Sequence, residues 1–194
     1  MTNDKRKKAA LRSAVIISIL VLSVISGFLI QMVLDKIEHK NYPREYSEYV
    51  EKYASDYGVP EYVVYSVIKT ESDFESGAVS NKGAVGLMQL MPDTFNWLCT
   101  LTKENHDTGM MYDPETNIKY GTYYLSYLYL RYGNWDTVYA AYNAGFGNVD
   151  KWLGDKLENE GAKKLDNIPF EETENYVKKV NKACEVYSRL YYKS

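Results

Sequence analysis

Hydrophobic positions divide the chain into one long uncharged stretch near the N-terminus and a series of amphipathic segments after it. Residues 14–34 carry no formal charge, and about twenty apolar residues in a helix span the hydrocarbon core of a bilayer. Further along, apolar positions recur mainly at three- and four-residue intervals, the period of a helix with one buried face. The pattern therefore predicts a transmembrane helix followed by a mainly helical domain.

Turn and cap residues set the bounds of the predicted helices. A proline at the start of a helix and a glycine after its end are the usual signals. Together with the apolar period, they predict helices over residues 46–57, 60–71, 93–102, 114–132, 136–142, 148–153 and 171–191. Residues 72–85, which include Asn81 and Gly83, predict a loop with room for a short hairpin.

Charge predicts which side of a membrane each end of the uncharged stretch occupies. Positive residues crowd before it, namely Lys5, Arg6, Lys7, Lys8 and Arg12. A basic flank stays on the cytoplasmic side, so we expect a single-pass protein of the cell membrane. The expected order is a cytoplasmic basic tail over residues 1–13, an anchor over 14–34, a polar linker over 35–44 and an extracytoplasmic domain over 45–194.

A cleaved signal peptide is the alternative interpretation of the uncharged stretch. The small residues Ser23, Ser26 and Gly27 keep a cleavage site open. The apolar core of a signal peptide is shorter than this stretch, however, and no small-x-small site stands out at its end. The length therefore favours the uncleaved anchor.

Glu71 continues the apolar stripe of the predicted helix 60–71. Steps of four residues from Val63 pass through Val67 and reach Glu71, which places its carboxyl group on the buried face. Lost solvation and the negative end of the helix dipole both favour the neutral acid and raise its pKa. Such an acid is suited to protonate a leaving oxygen, as in glycosidases. In the alternative, Glu71 ends the helix facing solvent or pairs with Lys82.

Four short motifs follow one another in the predicted domain. They are Glu71-Ser72 with Ser80 nine residues after the glutamate, GLMQLMP at 86–92, AYNAG at 141–145 and ETENYV at 172–177. Together they resemble the signature of the lytic transglycosylases, the lysozyme-like family that cleaves bacterial peptidoglycan. Four motifs in order make a specific match, whereas one alone would be weak. The resemblance implies a mainly α (α+β lysozyme-like) domain with an active-site groove.

The resemblance also implies a catalytic acid and a set of substrate-binding residues. The acid is Glu71, and the binding residues are Ser72, Ser80, Gly86, Leu87, Met88, Gln89, Tyr142, Asn143, Glu172 and Tyr176. Gly86 permits close approach of the backbone to a sugar, and Met88 can form a flexible apolar wall under a ring. Gln89 and Asn143 carry donors and acceptors for hydroxyl and N-acetyl groups. Core packing is the alternative for Leu87 and Met88, and it is favoured for Leu87.

Three further roles come from the resemblance alone. It places Ser80 near Glu71 and the N-acetyl group of the substrate. It implies that Tyr142 orients the acid or the reacting sugar. It assigns Glu172 to groove structure or binding rather than to proton transfer.

The number of carboxylates decides between mechanisms. Retaining and inverting glycosidases need two, whereas Asp73 and Glu75 lie in a polar loop that we expect to face solvent. The family pattern assigns no second acid. It therefore implies that Glu71 protonates the oxygen between MurNAc and GlcNAc and then, as a base, activates the MurNAc C6 hydroxyl. Attack by that intramolecular nucleophile closes a 1,6-anhydro ring, and no cofactor is expected.

Two other functions stay open from the sequence. One is a hydrolytic muramidase resembling goose-type lysozyme, which would add water where a transglycosylase closes a ring. The other is a wall-binding or assembly module that keeps the fold for glycan recognition. The joint presence of Glu71, Ser80, Gln89 and Tyr142 argues against the module.

Composition narrows the expected partners. Acidic residues number 26 against 23 basic ones, a formal net charge of −3, and the outer domain is more acidic still because a basic cluster precedes the anchor. This balance disfavours nucleic acid as a partner. The expected partners are peptidoglycan glycan strands and, through the anchor, the membrane; the sequence names no envelope protein as a further partner.

Cysteine, histidine and tyrosine residues add little chemistry. Cys99 and Cys184 lie in helical patterns among apolar neighbours, which favours two thiols in the core over the disulfide that an outer compartment permits. His39 and His106 are isolated, so no metal site is expected. The chain has 20 tyrosines, and six of them lie on all sides of the predicted helix over residues 114–132, so most are expected to pack rather than bind sugar.

Overall fold

A computed structural model describes residues 3–158 and 161–192 of the 194-residue chain. Residues 1–2 of the predicted tail and residues 159–160 and 193–194 of the predicted domain lie outside the described part. The side chains of Lys5 and Arg6, which belong to the predicted basic flank, lie outside it as well. The chain divides into two compact units between Pro43 and Arg44.

The first unit is built on one helix, α1, which spans Asn3–Asn41. Within the described residues, Val15–Asn41 is the segment long and apolar enough to cross a membrane, and none of it is buried inside the protein. A helix that is apolar all round is stable only when a surrounding apolar medium or other protein covers it. The helix also includes most of the expected linker, because residues 35–41 are helical.

The second unit is helical wherever the sequence predicts a helix. Its helices are α2 (Ser47–Tyr57), α3 (Glu61–Glu71), α4 (Pro92–Thr102), α5 (Pro114–Tyr132), α6 (Trp135–Ala144), α7 (Phe146–Leu153) and α8 (Glu171–Tyr187). Short 3-10 turns lie at Thr108–Tyr112 and Gly154–Leu157, and a wider π turn at Ser188–Tyr192 extends α8. Across the described ranges there is no strand, only antiparallel bridges within the loop after α3.

Local cap chemistry explains why the helix bounds follow the sequence so closely. The Asp113 carboxylate accepts a 2.8 Å hydrogen bond from the Thr116 N–H and caps α5 just before Pro114. Gly58 and Gly133 adopt the left-handed conformation that ends α2 and α5. These interactions lie within a few residues of each helix end, so the sequence alone can reveal them.

The core forms around α5, as its apolar spacing predicts. Ile118, Leu125 and Leu128 are fully buried on one face, and α5 packs against α2 and α6. Helix α3 packs against α8. Both cysteines are free of disulfides, as predicted; Cys99 is buried, whereas Cys184 keeps partial exposure.

Candidate active site

Glu71 is the last residue of α3, and its carboxyl group is largely enclosed by protein. The residue keeps partial access to solvent, yet burial raises its pKa to about 7, and the nearby Tyr176 hydroxyl acts in the opposite direction. The raised pKa that the apolar stripe predicts is confirmed. The alternative pairing with Lys82 is wrong, because the Lys82 ammonium binds both carboxylate oxygens of Glu172, at 3.0 and 3.1 Å.

Two tyrosines from different helices flank this carboxyl group. Tyr176 of α8 is buried, and its hydroxyl lies beside Glu71 without forming a hydrogen bond of ordinary geometry to any described residue. The Tyr142 hydroxyl of α6 donates to the Met88 carbonyl oxygen at 2.8 Å. Burial, with the Glu71 charge as a second cause, raises the pKa of both phenols well above the ordinary value. Both therefore stay protonated at neutral pH.

Motif residues after α3 hold their own loop in place. The Ser72 hydroxyl donates to the Leu87 carbonyl oxygen at 2.8 Å, and the Ser80 hydroxyl accepts from the Ala84 N–H at 2.9 Å. The first hydrogen bond joins the start of the loop to Leu87, and the second closes the turn between Ser80 and Ala84. Ser72 and Ser80 thus have structural roles, whatever contact the substrate adds.

Gln89 has both of its side-chain N–H groups committed to the loop. Its amide nitrogen lies 3.0 Å from the Ala78 carbonyl oxygen and 2.8 Å from that of Gly86. An amide has two N–H donors, so neither is left for a sugar in this conformation. The expectation that Gln89 offers the substrate a donor is corrected on this point.

Gly86 approaches protein rather than an open groove. It has a φ of +80°, and a Cβ built on it would lie 2.3 Å from the Asn117 side-chain nitrogen and 2.6 Å from the Met111 carbonyl oxygen. No larger residue fits between these groups. The expectation that Gly86 brings the backbone close to a sugar is therefore corrected, because the space at Gly86 is filled by Asn117.

Met88 belongs to the core. Its side chain has no exposed surface, and a Cβ added to Gly121 of α5 would lie 2.3 Å from the Met88 sulfur. The prediction of an apolar wall at Met88 is wrong, whereas the core alternative for Leu87, also fully buried, is confirmed. The methionine of this motif that reaches solvent is Met91, which is 41% exposed at the start of α4.

Asn117 is a structural residue of the site that the sequence reasoning missed. It is buried on α5 and accepts a 2.7 Å hydrogen bond from the Met88 N–H. Its amide nitrogen donates to the carbonyl oxygens of Val85 and Met111, at 3.0 and 2.7 Å. The sequence does contain a signal for this role. Asn117 lies four residues before Gly121 on the buried face of the helix, where a polar side chain needs hydrogen-bond partners.

A cavity of about 340 Å³ adjoins the carboxyl-bearing end of α3. It is lined by Thr70, Asn143, Glu172, Asn175, Tyr176 and Lys179. The Asn143 side-chain oxygen Oδ1 accepts a 2.8 Å hydrogen bond from the Thr173 hydroxyl, which fixes the orientation of the side-chain amide. The structure thus brings Asn143, Glu172 and Tyr176 together in one cavity, where Tyr176 also lies beside Glu71, while Met88 and Leu87 lie in the core.

The neighbouring acids do not share this environment. The side chain of Asp73 is 72% exposed and pairs with Lys69, and Glu75 is exposed. This confirms that both face solvent. Glu71 is therefore the acid of this segment with the surroundings of a proton donor.

Comparison with known families agrees with the first three motifs, since the fourth, at 172–177, follows the matched region. The model of the family described as "Transglycosylase SLT domain" matches residues 48–165. The chain belongs to this family. Its mainly helical fold is that of solved lytic transglycosylases, which confirms the predicted fold class.

Several transglycosylases are similar to the chain. It is 35% identical to the soluble lytic murein transglycosylase of Escherichia coli K12, over 81% of this chain and 25% of that protein. It is 33% identical to the membrane-bound lytic murein transglycosylase C of Edwardsiella ictaluri, over 87% of this chain and 53% of that one. The chain thus spans about a quarter to a half of the length of these relatives.

Solved structures give the same result for this transglycosylase domain. The 70 kDa soluble lytic transglycosylase bound to bulgecin A matches 81% of this chain and 26% of its own, with a TM-score of 0.71 and 31% identity. An inactive mutant of the lytic transglycosylase Slt from Pseudomonas aeruginosa matches 76% of this chain and 24% of its own, with a TM-score of 0.67 and 31% identity.

Proposed function

We propose that the chain is a membrane-anchored lytic transglycosylase of peptidoglycan. It cleaves the β-1,4 bond between MurNAc and GlcNAc and leaves 1,6-anhydro-MurNAc ends. The observation that carries the proposal is Glu71, an enclosed carboxyl group with a pKa of about 7, flanked by two neutral tyrosines beside a cavity. The names of the soluble and membrane-bound relatives support the reaction class.

One carboxyl group serves twice in the proposed reaction. Protonated Glu71 donates its proton to the glycosidic oxygen as the bond from that oxygen to MurNAc C1 breaks. The substrate's N-acetyl group stabilises the cationic centre at C1. The Glu71 carboxylate then takes the proton of the C6 hydroxyl, whose oxygen bonds to C1. Both roles suit an acid whose pKa lies near the working pH, and the attacking hydroxyl already belongs to the reacting sugar.

The surroundings of Glu71 support a single-acid mechanism. A water-activating or nucleophilic partner would have to lie within about 5 to 10 Å and face the same sugar. The adjacent candidate, Asp73, is turned to solvent and paired with Lys69. Glu172, which lines the cavity, is also exposed, and both of its carboxylate oxygens are bound by the Lys82 ammonium. The neutral hydroxyls of Tyr142 and Tyr176 are instead the polar groups beside the carboxyl, where they can orient it or the sugar.

The proposed anchor is α1. Its Val15–Asn41 segment is long and apolar enough to cross a membrane, and Lys7, Lys8 and Arg12 precede that segment. In the proposed topology this basic end is cytoplasmic and the second unit is extracytoplasmic. The membrane-bound relatives agree with an attachment to the membrane.

Digestion of purified peptidoglycan tests the proposal. The full chain should release fragments that end in anhydro-MurNAc, each lighter by one water than the hydrolysis product, as measured by mass spectrometry. Glu71→Gln should abolish release while still binding glycan, and Asp73→Asn is the matched control that should keep wild-type rates. Hydrated ends would instead establish a hydrolytic muramidase. Glycan bound by the wild type without release of fragments would establish a binding module, and release of fragments by Glu71→Gln would show that Glu71 is not the acid.

A further inference from the structure

Aromatic rings form a connected set that begins at Tyr142. The ring centroid of Tyr124 lies 5.2 Å from that of Tyr142, and Trp97 lies 6.1 Å from Tyr124. Tyr127 and Phe146 lie 5.0 and 5.6 Å from Trp97. Helices α4, α5, α6 and α7 all contribute to this set. Two ring contacts, Tyr142 to Tyr124 and Tyr124 to Trp97, therefore connect the candidate active site to the outer rings of the set.

The outer members of the set are open to solvent. Tyr124 is buried and supports the others, whereas Trp97, Tyr127 and Phe146 are each partly exposed. Trp97 meets Tyr127 edge-on, at 87°, but is tilted only 37° from Phe146. Three neighbouring rings with accessible surface offer flat apolar area, which complements the C–H face of a sugar ring.

The backbone holds Phe146 firmly in this set. Gly145 has a φ of +83°, which ends α6 and starts α7 with Phe146 as its first residue. The hydroxyl of Tyr132 lies 3.3 Å from the Phe146 carbonyl oxygen and 2.8 Å from a carboxylate oxygen of Asp150. Asp150 is in turn paired with Arg131. These contacts fix the backbone at Phe146, and its ring packs against Trp97 and Tyr127. Such prior placement lowers the ordering cost of binding.

We propose that Trp97, Tyr127 and Phe146 form a stacking subsite for a sugar ring of the glycan strand, beyond the two sugars at the cleaved bond. This inference rests on the proposed function. The ring steps of 5.2 and 6.1 Å from Tyr142 to Trp97 span a path on the scale of a disaccharide. The subsite would favour longer strands over short fragments, because only longer strands occupy it.

Leucine substitutions test the subsite in the full chain. Trp97→Leu and Phe146→Leu keep apolar volume but remove the flat face, and we expect KM for long strands to rise about tenfold with little change in kcat. Trp97→Phe keeps a flat ring and should retain most of the affinity. Trp152→Leu is the matched control, because Trp152 also meets a phenylalanine edge-on, Phe170 at 5.0 Å, outside the set.

Binding measured without turnover separates this inference from the proposed function. In a Glu71→Gln background, chitotetraose should bind about tenfold more weakly when Trp97→Leu is added, as followed by titration calorimetry. Equal binding with and without Trp97→Leu, or an equal loss with Trp152→Leu, would overturn the subsite while leaving the reaction in place. Absence of anhydro ends from the wild-type digestion would overturn the reaction, whatever the binding result.

Discussion

The hydroxyl of Tyr142 donates a 2.8 Å hydrogen bond to the carbonyl oxygen of Met88. The bond joins two sequence motifs that lie 54 positions apart and ties α6 to the loop after α3. Because burial and the Glu71 charge hold the pKa of this phenol well above its ordinary value, it remains a donor throughout the neutral range. The motifs are thus physically coupled beside the acid.

Tyr142→Phe should weaken both the fold and the reaction. It removes the bond to Met88 and leaves a buried carbonyl oxygen without that donor, at a cost of about 1 to 2 kcal/mol in unfolding free energy. We also expect kcat to fall by about tenfold or more, because the hydroxyl that holds the loop beside Glu71 is lost and the reacting groups are less well positioned. Urea unfolding and turnover of peptidoglycan measure the two effects. Tyr112→Phe, at a 50% exposed position, should change neither; wild-type kcat in Tyr142→Phe would contradict the prediction.

The pH profile of the reaction should report Glu71. The free enzyme must carry the proton on this acid, so kcat/KM should be level below its pKa of about 7 and fall about tenfold per pH unit above it. The Tyr176 hydroxyl lowers that pKa, so Tyr176→Phe should move the falling limb to higher pH. The assignment would be refuted if kcat/KM of the wild type began to fall near pH 4.5, the ordinary value for a glutamate. It would also be refuted if Tyr176→Phe left the falling part of the profile at the same pH.

Glu71→Gln should stabilise the protein at alkaline pH. The folded-state pKa is about 7 against an ordinary value of 4.5, so the folded state holds the proton more tightly than the unfolded state. The free energy of unfolding therefore falls as pH rises through that window. At pH 8 the unfolding free energy of the glutamine variant should exceed that of the wild type by about 3 kcal/mol, and at pH 4 the difference should be small. Urea unfolding at both values measures it, with exposed Glu75→Gln as the control that should show no such trend.

Asn117→Ala should loosen the loop that follows the acid. The substitution removes three hydrogen bonds and leaves the buried Met88 N–H without its acceptor, which should cost about 2 to 4 kcal/mol. Activity should fall as well, because that loop carries the Tyr142 acceptor. Asn148→Ala, which removes one bond from a partly exposed helix position, is the control. If Asn117→Ala lost no more unfolding free energy than Asn148→Ala, Asn117 would not be what holds the loop in place.

Gly121→Ala should destabilise the core through Met88. The added methyl group would lie 2.3 Å from the methionine sulfur and 2.8 Å from its Cβ, so the core must shift, at about 1 to 3 kcal/mol. Thermal unfolding measures the loss. Gly77→Ala adds the same methyl group where nothing lies within 4 Å and should be close to neutral. Equal stability of the two variants would show that Met88 adjusts freely.

The parts of the fold that follow from the sequence are those governed by nearby residues. The cap of α5 lies within three residues of Asp113, and the left-handed ends of α2 and α5 need only a glycine. The raised pKa of Glu71 follows from its four-residue spacing with Val63 and Val67. In each case the pattern that predicts the feature lies within one helix, even though the helices packed around Glu71 are what bury its carboxyl group.

The parts that do not follow from the sequence depend on the loop after α3. Gly86 and Gln89 both have positive φ values, so side chains there have no regular period that tells the buried face from the exposed one. Whether Met88 faces a sugar or the core is decided by Asn117 and Gly121, more than twenty-five positions later. No local pattern contains that information.

Helix α1 continues to Asn41, and only Tyr42 and Pro43 separate it from the second unit. At 1.5 Å per residue, residues 35–41 add about 10 Å to the rod beyond the predicted span. In the proposed topology, the segment that leaves the bilayer therefore continues the anchor as a helix instead of forming a flexible linker.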